Sequence, residues 1–459
     1  MNLERLVAAL GPAELAGAPA GVLDLAYDAR TVEPGALFFC VPGLRADGHD
    51  FAADAVARGA VALVVERRLP LDVPQVVVPD ARAAMAPAAD VFFGEPTKEL
   101  QVAGVTGTSG KTTTSFLLFA ILAAAGRRPG LLGTIEARVG GERRAVQRTT
   151  PEAIDLQRIF REMLDAGDRS CAMEASSHAS ALHRLDGTRF AVLVFTNLSQ
   201  DHLDFHSDME DYFQAKRRLF VTEPRPLAVV NVGDAYGRRL AEELPDAIGF
   251  SADEPGALAG IELKLRGRFN VENALGALHA ARVLGIEDDA IKRGLESVRG
   301  VPGRFEAVDE GQPFTVVVDY AHKPGALENV LRAARDLAGG RRVICVVGAG
   351  GDRDRGKRPQ MGRLASELAD VAIVTSDNPR SEDPDAIIAE IVAGAECGVE
   401  VVPDRAEAIA RALELAAPGD VVLIAGKGAE QGQEIAGRIT PFDDRDVARD
   451  ALRALRATP

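Results

Sequence analysis

Gly104-Val105-Thr106-Gly107-Thr108-Ser109-Gly110-Lys111-Thr112-Thr113-Thr114 is the stretch around which the rest of the chain is organised. Leu100-Gln101-Val102-Ala103 before it ends like a buried strand, and the apolar run 115–125 after it reads as a helix stopped by Gly126. Strand, glycine turn, Lys-Thr and helix together form a phosphate cradle. Backbone N–H groups of the turn and the positive end of the helix hold phosphate oxygens. The Lys111 ammonium neutralises further phosphate charge, and the Thr112 hydroxyl is a ligand for Mg²⁺. The match to G-x-x-x-x-G-K-[ST] is incomplete, because Val105 stands where that pattern has its first glycine. The alternative is a glycine turn that binds nothing; Gly-Lys-Thr at the helix entrance favours an ATP or GTP site.

The chain has 459 residues, enough for about three domains. It is 47% apolar and 26% charged, an ordinary globular mix. A formal net charge of −15 argues against nucleic-acid or anionic-membrane partners. Cys40, Cys171, Cys345 and Cys397 lie far apart, so neither a zinc site nor a disulfide framework is suggested. Residues 1–10 lack a signal-peptide core and no apolar run is long enough to span a bilayer. A soluble cytoplasmic protein is expected.

Residues 1–97 read as a small mixed α/β unit, with strands near 36–41, 60–65 and 75–78 and helices near 51–58 and 81–93. Two polar clusters stand out there, Asp28-Ala29-Arg30 and Arg45-Ala46-Asp47-Gly48-His49-Asp50-Phe51, and either could simply be a capped turn. Gly94-Glu95-Pro96-Thr97 makes the junction to a larger α/β domain, 98–301, built on the cradle. Its strand-like segments 170–173 and 190–196 each run into a polar cluster, Glu174 to His178 and Asn197 to His206. Ligands sit at such carboxyl ends in open α/β sheets. Residues 302–459 restart the pattern, with strands at 315–319, 342–347, 371–375, 400–402 and 421–425 alternating with helices: a Rossmann-like doubly wound parallel sheet. Gly348-Ala349-Gly350-Gly351 fails the dinucleotide fingerprint, with Arg353 in place of the last glycine, so NAD is not expected.

From residue chemistry alone, Glu174 can hold Mg²⁺ beside a triphosphate, with His202 a candidate second ligand. Lys216, on a helical stretch, reads by default as solvated surface. Kinase, ATPase motor and ATP-driven ligase all remain open.

The ordered set 107–112, Thr149-Thr150-Pro151, Met173 to His178, Asn197 to His206, Ala215-Lys216 and Asp319-Tyr320-Ala321-His322 resembles the Mur ligases, ATP-dependent amino-acid-adding enzymes of peptidoglycan precursor synthesis. The likeness covers essentially the whole chain. It implies three domains: 1–97 for the UDP end of UDP-MurNAc-L-Ala-D-Glu, 98–301 for ATP, 302–459 for the incoming amino acid. ATP would convert the γ-carboxylate of D-Glu to an acyl phosphate, which the amine attacks. The resemblance assigns the phosphates to Gly107, Thr108, Gly110, Lys111, Thr112 and Thr113. The rest of the nucleotide falls to Asn270, Asn273, Arg304 and Asp319. Two Mg²⁺ ions would be held through Thr112, Glu174, His202 and a carbamylated Lys216, which reverses the default reading of that lysine. Lys111, Glu174, His202 and Lys216 are thereby the implied catalytic set. Asp28, Arg30, Arg45, Asp47, Gly48, His49, Thr149, Thr150, Ser176 and Arg184 would bind the UDP precursor.

Asp377-Asn378-Pro379-Arg380 matches the motif of family members that add meso-diaminopimelate. Its second carboxylate, absent from lysine, suits an arginine fork. Arg353 and Arg380 would clamp it, while Asn378, Gly426 and Glu430 would meet the distal ammonium. Ala29, Lys323 and Ala429 depart from the family pattern of serine, threonine and histidine. A monomer is expected. The alternatives are a family member adding L-lysine or another amino acid, and a non-catalytic nucleotide-binding regulator.

Overall fold

The computed structural model describes residues 1–17, 20–43 and 46–457. Arg45 lies outside the described residues. The chain has three α/β domains with largely parallel sheets.

The first sheet holds β1 (Glu14–Ala16), β2 (Asp24–Ala26), β3 (Ala36–Phe39), β4 (Ala62–Val65) and β5 (Gln75–Val77) in the order β1-β5-β4-β3-β2. Strands β2 to β5 are parallel and β1 is an antiparallel edge. Alternation along the strands splits the core. Leu37, Phe39, Val64 and Val76 pack under the helix Ala81–Phe92, while Phe38, Leu63 and Val65 pack with Ala52 and Ala55 of the helix Ala52–Ala57.

Eight strands make the middle sheet: β6 (Gln101–Thr106), β7 (Pro129–Leu132), β8 (Ala137–Val139), β9 (Glu142–Arg144), β10 (Ser170–Glu174), β11 (Phe190–Phe195), β12 (Leu227–Asn231) and β13 (Ile248–Phe250). β10 pairs in parallel with both β6 and β7, while β7-β8-β9 is an antiparallel meander that the sequence reading did not include. β6 opens directly through the glycine turn into the helix Lys111–Ala124, as expected.

The third sheet comprises β14 (Glu306–Val308), β15 (Thr315–Asp319), β16 (Val343–Val347), β17 (Val371–Val374), β18 (Glu400–Val401) and β19 (Val421–Ala425), ordered β14-β15-β19-β16-β17-β18. The five strands expected here form and run parallel; β14 adds an antiparallel edge. Near-continuous Val/Ile/Leu runs are what a strand buried on both faces requires. Val317, Cys345, Val347 and Leu423 face the helices Pro324–Ala338, Lys357–Leu368 and Pro384–Val392. Val316, Val318, Ile344, Val346, Val422 and Ile424 face Arg405–Leu415 and Asp444–Ala457. A hairpin of β20 (Gly432–Ile435) and β21 (Arg438–Pro441), also absent from the sequence reading, follows β19.

By tertiary contacts the described chain falls into two compact units, one of 1–106, 125–194 and 214–228, the other of 107–124, 195–213 and 229–457. No described helix is long and apolar enough to cross a membrane.

Candidate active site

The second unit contains the phosphate turn. Gly107 and Gly110 adopt φ of 142° and 86°, and neither has room for a side chain. A Cβ on Gly107 would sit 1.9 Å from Thr196 Oγ1, and one on Gly110 2.3 Å from Asn273 Oδ1. Glycine is therefore forced by close approach as well as by φ. Lys111 Nζ donates to the carbonyls of Gly107 (2.9 Å) and Thr108 (3.0 Å), folding its charge over the turn. Thr108 Oγ1 meets the Tyr212 hydroxyl at 3.1 Å and accepts from the Ser199 N–H at 3.0 Å; Thr113 is buried. Asn273 receives a hydrogen bond from Thr114 Oγ1 (3.3 Å) and donates to Asn270 Oδ1 (3.0 Å), so both asparagines brace the back of the turn.

Arg304 Nη2 donates to Thr112 Oγ1 at 3.0 Å, and its guanidinium lies 4.5 Å over the Tyr320 ring. Asp319, at the end of β15, accepts from the Phe305 N–H at 2.7 Å. Burial pushes its carboxyl up to about 6, against the pull of Arg304. His202 has a left-handed backbone (φ 56°) and holds Asp201 at 2.8 Å, while Lys323 Nζ reaches the same Asp201 oxygen at 2.5 Å. Burial works against the Asp201 charge, yet Lys323 and His202 hold its carboxyl well below the usual range. Lys323, which departs from the family pattern, is thus a buried ion-pair partner rather than a water-facing residue.

The first unit assembles a separate network. Glu174, fully buried at the end of β10, accepts from the Thr134 N–H (2.7 Å) and Thr134 Oγ1 (3.1 Å). Thr134 Oγ1 also meets Thr149 Oγ1 at 3.0 Å. Thr150 Oγ1 donates to the Glu174 carbonyl (2.9 Å) and to Ser176 Oγ (3.2 Å), and Arg184 reaches the Thr150 carbonyl at 3.3 Å. Thr149, Thr150, Glu174, Ser176 and Arg184, widely spaced in sequence, therefore meet. Glu152, not singled out in the sequence, ties the group to Arg184 at 2.9 Å. Lys216 is 1% exposed, which corrects the reading of that lysine as solvated surface. In the N-terminal sheet, Asp28 caps the turn Ala29–Thr31 and pairs with Arg30 at 2.6 Å. Asp47 caps Gly48–Phe51 and binds His49 Nδ1 at 2.6 Å. Both clusters are capped turns in this structure.

The remaining candidates line the carboxyl edge of the third sheet, in the second unit. Arg380 (φ 54°) donates from Nη1 to the Gly351 carbonyl at 2.7 Å. A Cβ on Gly350 would lie 2.9 Å from Arg380 Nη1 and 4.0 Å from Arg353 Cγ, so both arginines pass close to that glycine. Gly351 admits no side chain either, with the Pro379 carbonyl 1.9 Å from its Cβ position. Asn378 Nδ2 donates to Glu430 Oε2 at 2.8 Å, and Gly426 (φ 127°) lets Asp377 Oδ2 come within 2.5 Å of its Cβ position.

Nothing in the local residue pattern signals what supports this edge. Arg405 and Asp444 form a fully buried bidentate pair, both bonds 2.7 Å, and Arg405 also donates to the carbonyls of Ser376 and Ala425. β20 straps the loop: Gln433 Nε2 donates to the Asp377 carbonyl (2.8 Å), the Glu434 N–H to Asn378 Oδ1 (3.0 Å) and the Arg380 N–H to the Glu434 carbonyl (2.9 Å).

Family models match along the chain. The Mur ligase family catalytic domain covers residues 24–93, the Mur ligase middle domain 105–257 and the Mur ligase glutamate ligase domain 303–428. A UDP-N-acetylmuramoyl-L-alanyl-D-glutamate--2,6-diaminopimelate ligase of Geobacillus thermodenitrificans is 47% identical, over 95% of this chain and 96% of the relative. The chain belongs to the Mur ligase family. A relative of the same description from Streptomyces coelicolor is 46% identical over 95% of this chain and 93% of its own. A solved structure of such a ligase is 33% identical, covers 95% of this chain and 96% of its own, and superposes with a TM-score of 0.66. This Mur ligase thus matches family members over nearly their whole length.

Proposed function

We propose that this Mur ligase uses ATP to join meso-diaminopimelate to the D-glutamyl γ-carboxylate of UDP-MurNAc-L-Ala-D-Glu, making a peptidoglycan precursor. What carries the reading is the carboxyl edge of the third sheet, where Arg353 and Arg380 lie beside Gly350 and the neighbouring Asn378 is bonded to the carboxylate of Glu430. An acceptor bearing both a carboxylate and an ammonium at its far end is complementary to that pairing. The near-full-length relatives carry the same activity in their name.

We assign 1–97 to the UDP precursor, 98–301 to ATP and 302–459 to the acceptor, with one of the larger sheets in each. Lys111 and the N–H groups of the glycine turn bind the triphosphate, Asn270, Asn273, Arg304 and Asp319 the rest of the nucleotide, and Arg304 orients the Thr112 hydroxyl. Thr149, Thr150, Ser176 and Arg184 position the dipeptide, with the two capped turns of the N-terminal domain at the UDP end. A carboxylate is a poor electrophile; the acyl phosphate formed on the D-glutamyl side chain supplies a leaving group, and the acceptor amine displaces it. Thr112 and His202 in the second unit, and Glu174 in the first, each offer a donor type that suits Mg²⁺, an ion that would stabilise charge on transferring oxygens. Lys216, shielded from water, is the lysine that would take up CO₂ as a carbamate. The enzyme works as a cytoplasmic monomer on small-molecule substrates.

Purified enzyme with ATP, Mg²⁺ and UDP-MurNAc-L-Ala-D-Glu is expected to release phosphate on addition of meso-diaminopimelate and far more slowly with L-lysine. Arg380→Ala should raise the KM for diaminopimelate by ~10-fold or more, leaving the KM for ATP in place. Equal turnover of both amino acids removes the specificity, and nucleotide binding without acceptor-dependent turnover removes the ligase.

A further inference from the structure

Lys427 follows Gly426 at the end of β19, and its side chain is completely buried. Its ammonium donates to Asn378 Oδ1 at 3.0 Å and to Glu430 Oε2 at 3.2 Å. Asn378 Nδ2 closes the triangle on the same Oε2 at 2.8 Å, while Asn378 Oδ1 also accepts the Glu434 N–H at 3.0 Å. The carboxamide orientation is thereby fixed: its oxygen takes two donors and its nitrogen gives to a carboxylate. An ammonium stripped of water needs a counter-charge, and Glu430 supplies it. Glu430 itself is not sealed in, with 37% of its side chain exposed. Both of these bonds fall on Oε2, and the Tyr320 hydroxyl is a further hydrogen-bonding neighbour of the carboxylate.

We infer that Lys427 is a positioning residue that fixes Glu430 so that Oε1 faces the distal ammonium of the acceptor, with Asn378 as the strut between them. This rests on the acceptor reading proposed above. A free glutamate at a pocket rim must freeze its rotamers when it captures a cation; one already tied through Oε2 has lost that freedom beforehand. The buried lysine serves the pocket by holding the carboxylate that reads the amine, and itself stays clear of the substrate. It also explains why Lys427 comes three residues before Glu430 in the loop after β19, since the tie closes locally and needs no other domain.

The test compares two acceptors in the full-length enzyme: meso-diaminopimelate and 2-aminopimelate, which keeps both carboxylates and lacks the distal amine. Lys427→Met should lower kcat/KM for diaminopimelate by ~10-fold and that for 2-aminopimelate by less than about twofold, with the KM for ATP unchanged. Where 2-aminopimelate is too slow to turn over, its inhibition constant against diaminopimelate supplies the same comparison. Glu430→Gln should show the same amine-selective loss. Because it leaves the buried Lys427 ammonium without its counter-charge, the double variant Lys427→Met/Glu430→Gln, which removes both charges, is measured beside it and should lose the amine preference too. A penalty of equal size for both acceptors in Lys427→Met overturns the assignment, because a general packing defect does not distinguish them. Retention of the parent's amine preference in Glu430→Gln overturns it as well, whether or not Lys427→Met folds. An unmodified enzyme that fails to use diaminopimelate at all would instead sink the functional reading; normal use with no amine-selective loss sinks only the role of Lys427.

Discussion

Asp319 is the residue at which burial and charge compete most visibly. Its carboxyl lies at the end of a buried strand, held by the Phe305 N–H, and burial raises it to about 6 despite Arg304. The folded chain therefore binds this proton more tightly than the unfolded chain, whose carboxyl titrates at the ordinary 3.8. The stability this group contributes is present in full below that ordinary value and is lost as pH rises through about 6. The shift corresponds to about 3 kcal/mol at most. Asp319→Asn keeps an oxygen for the Phe305 N–H and removes the titration. Thermal melts from about pH 4 to about pH 7 should show the variant gaining on the parent as pH rises. A constant gap between the two curves would mean that the buried carboxyl does not titrate in this window.

At the scale of elements, the loops after β17 and β19 depend on one buried pair. Arg405, on the helix Arg405–Leu415, and Asp444, at the start of the C-terminal helix, form a bidentate bridge with no exposure, and Arg405 gathers the carbonyls of Ser376 and Ala425. Those carbonyls immediately precede Asp377 and Gly426, so the pair sets where two acceptor-edge loops leave their strands. Asp444→Asn strands a buried guanidinium without its counter-charge and should cost about 3–5 kcal/mol, read as a lowered denaturant midpoint. The phosphate turn is equally constrained by its neighbours. Asn273 from the helix Arg268–Val283 stands against Gly110, so a distant helix, as much as the local glycine pattern, shapes that turn.

For the molecule as a whole, ligand binding should appear as added stability, since ligands held only by the folded state pull the equilibrium toward it. A non-hydrolysable ATP analogue at ~100 times its Kd should stabilise the chain by about 2.7 kcal/mol, visible as a rise in Tm. Lys111→Ala should abolish most of that rise when each protein is compared with its own ligand-free Tm, since the substitution also removes the bonds to the Gly107 and Thr108 carbonyls. A full shift in the variant would place the nucleotide elsewhere.

Much of this architecture was legible from local pattern. The turn 107–110, the helix after it and the five parallel strands of the third sheet follow from glycine placement and from apolar runs of strand length, which are properties of neighbouring residues. The edge strands β1 and β14 and the meander β8-β9 are short, and β9 is exposed throughout, so no apolar rhythm announces them. The hairpin β20–β21 is polar for the same reason and folds where Asp377 to Arg380 offer it bonds.

The phosphate turn, the strand–helix alternation and the residue types suited to phosphate, carboxylate and ammonium can be read from the amino-acid order alone, because each is encoded within a few neighbouring positions. It takes the folded chain to show that Lys216 and Lys427 are shut away from water, that Lys323 is bound to Asp201, and that Arg405 with Asp444 anchors the acceptor edge. Burial and ion pairing join residues far apart in the chain, and whether a charge meets water or a partner is fixed only when those segments pack.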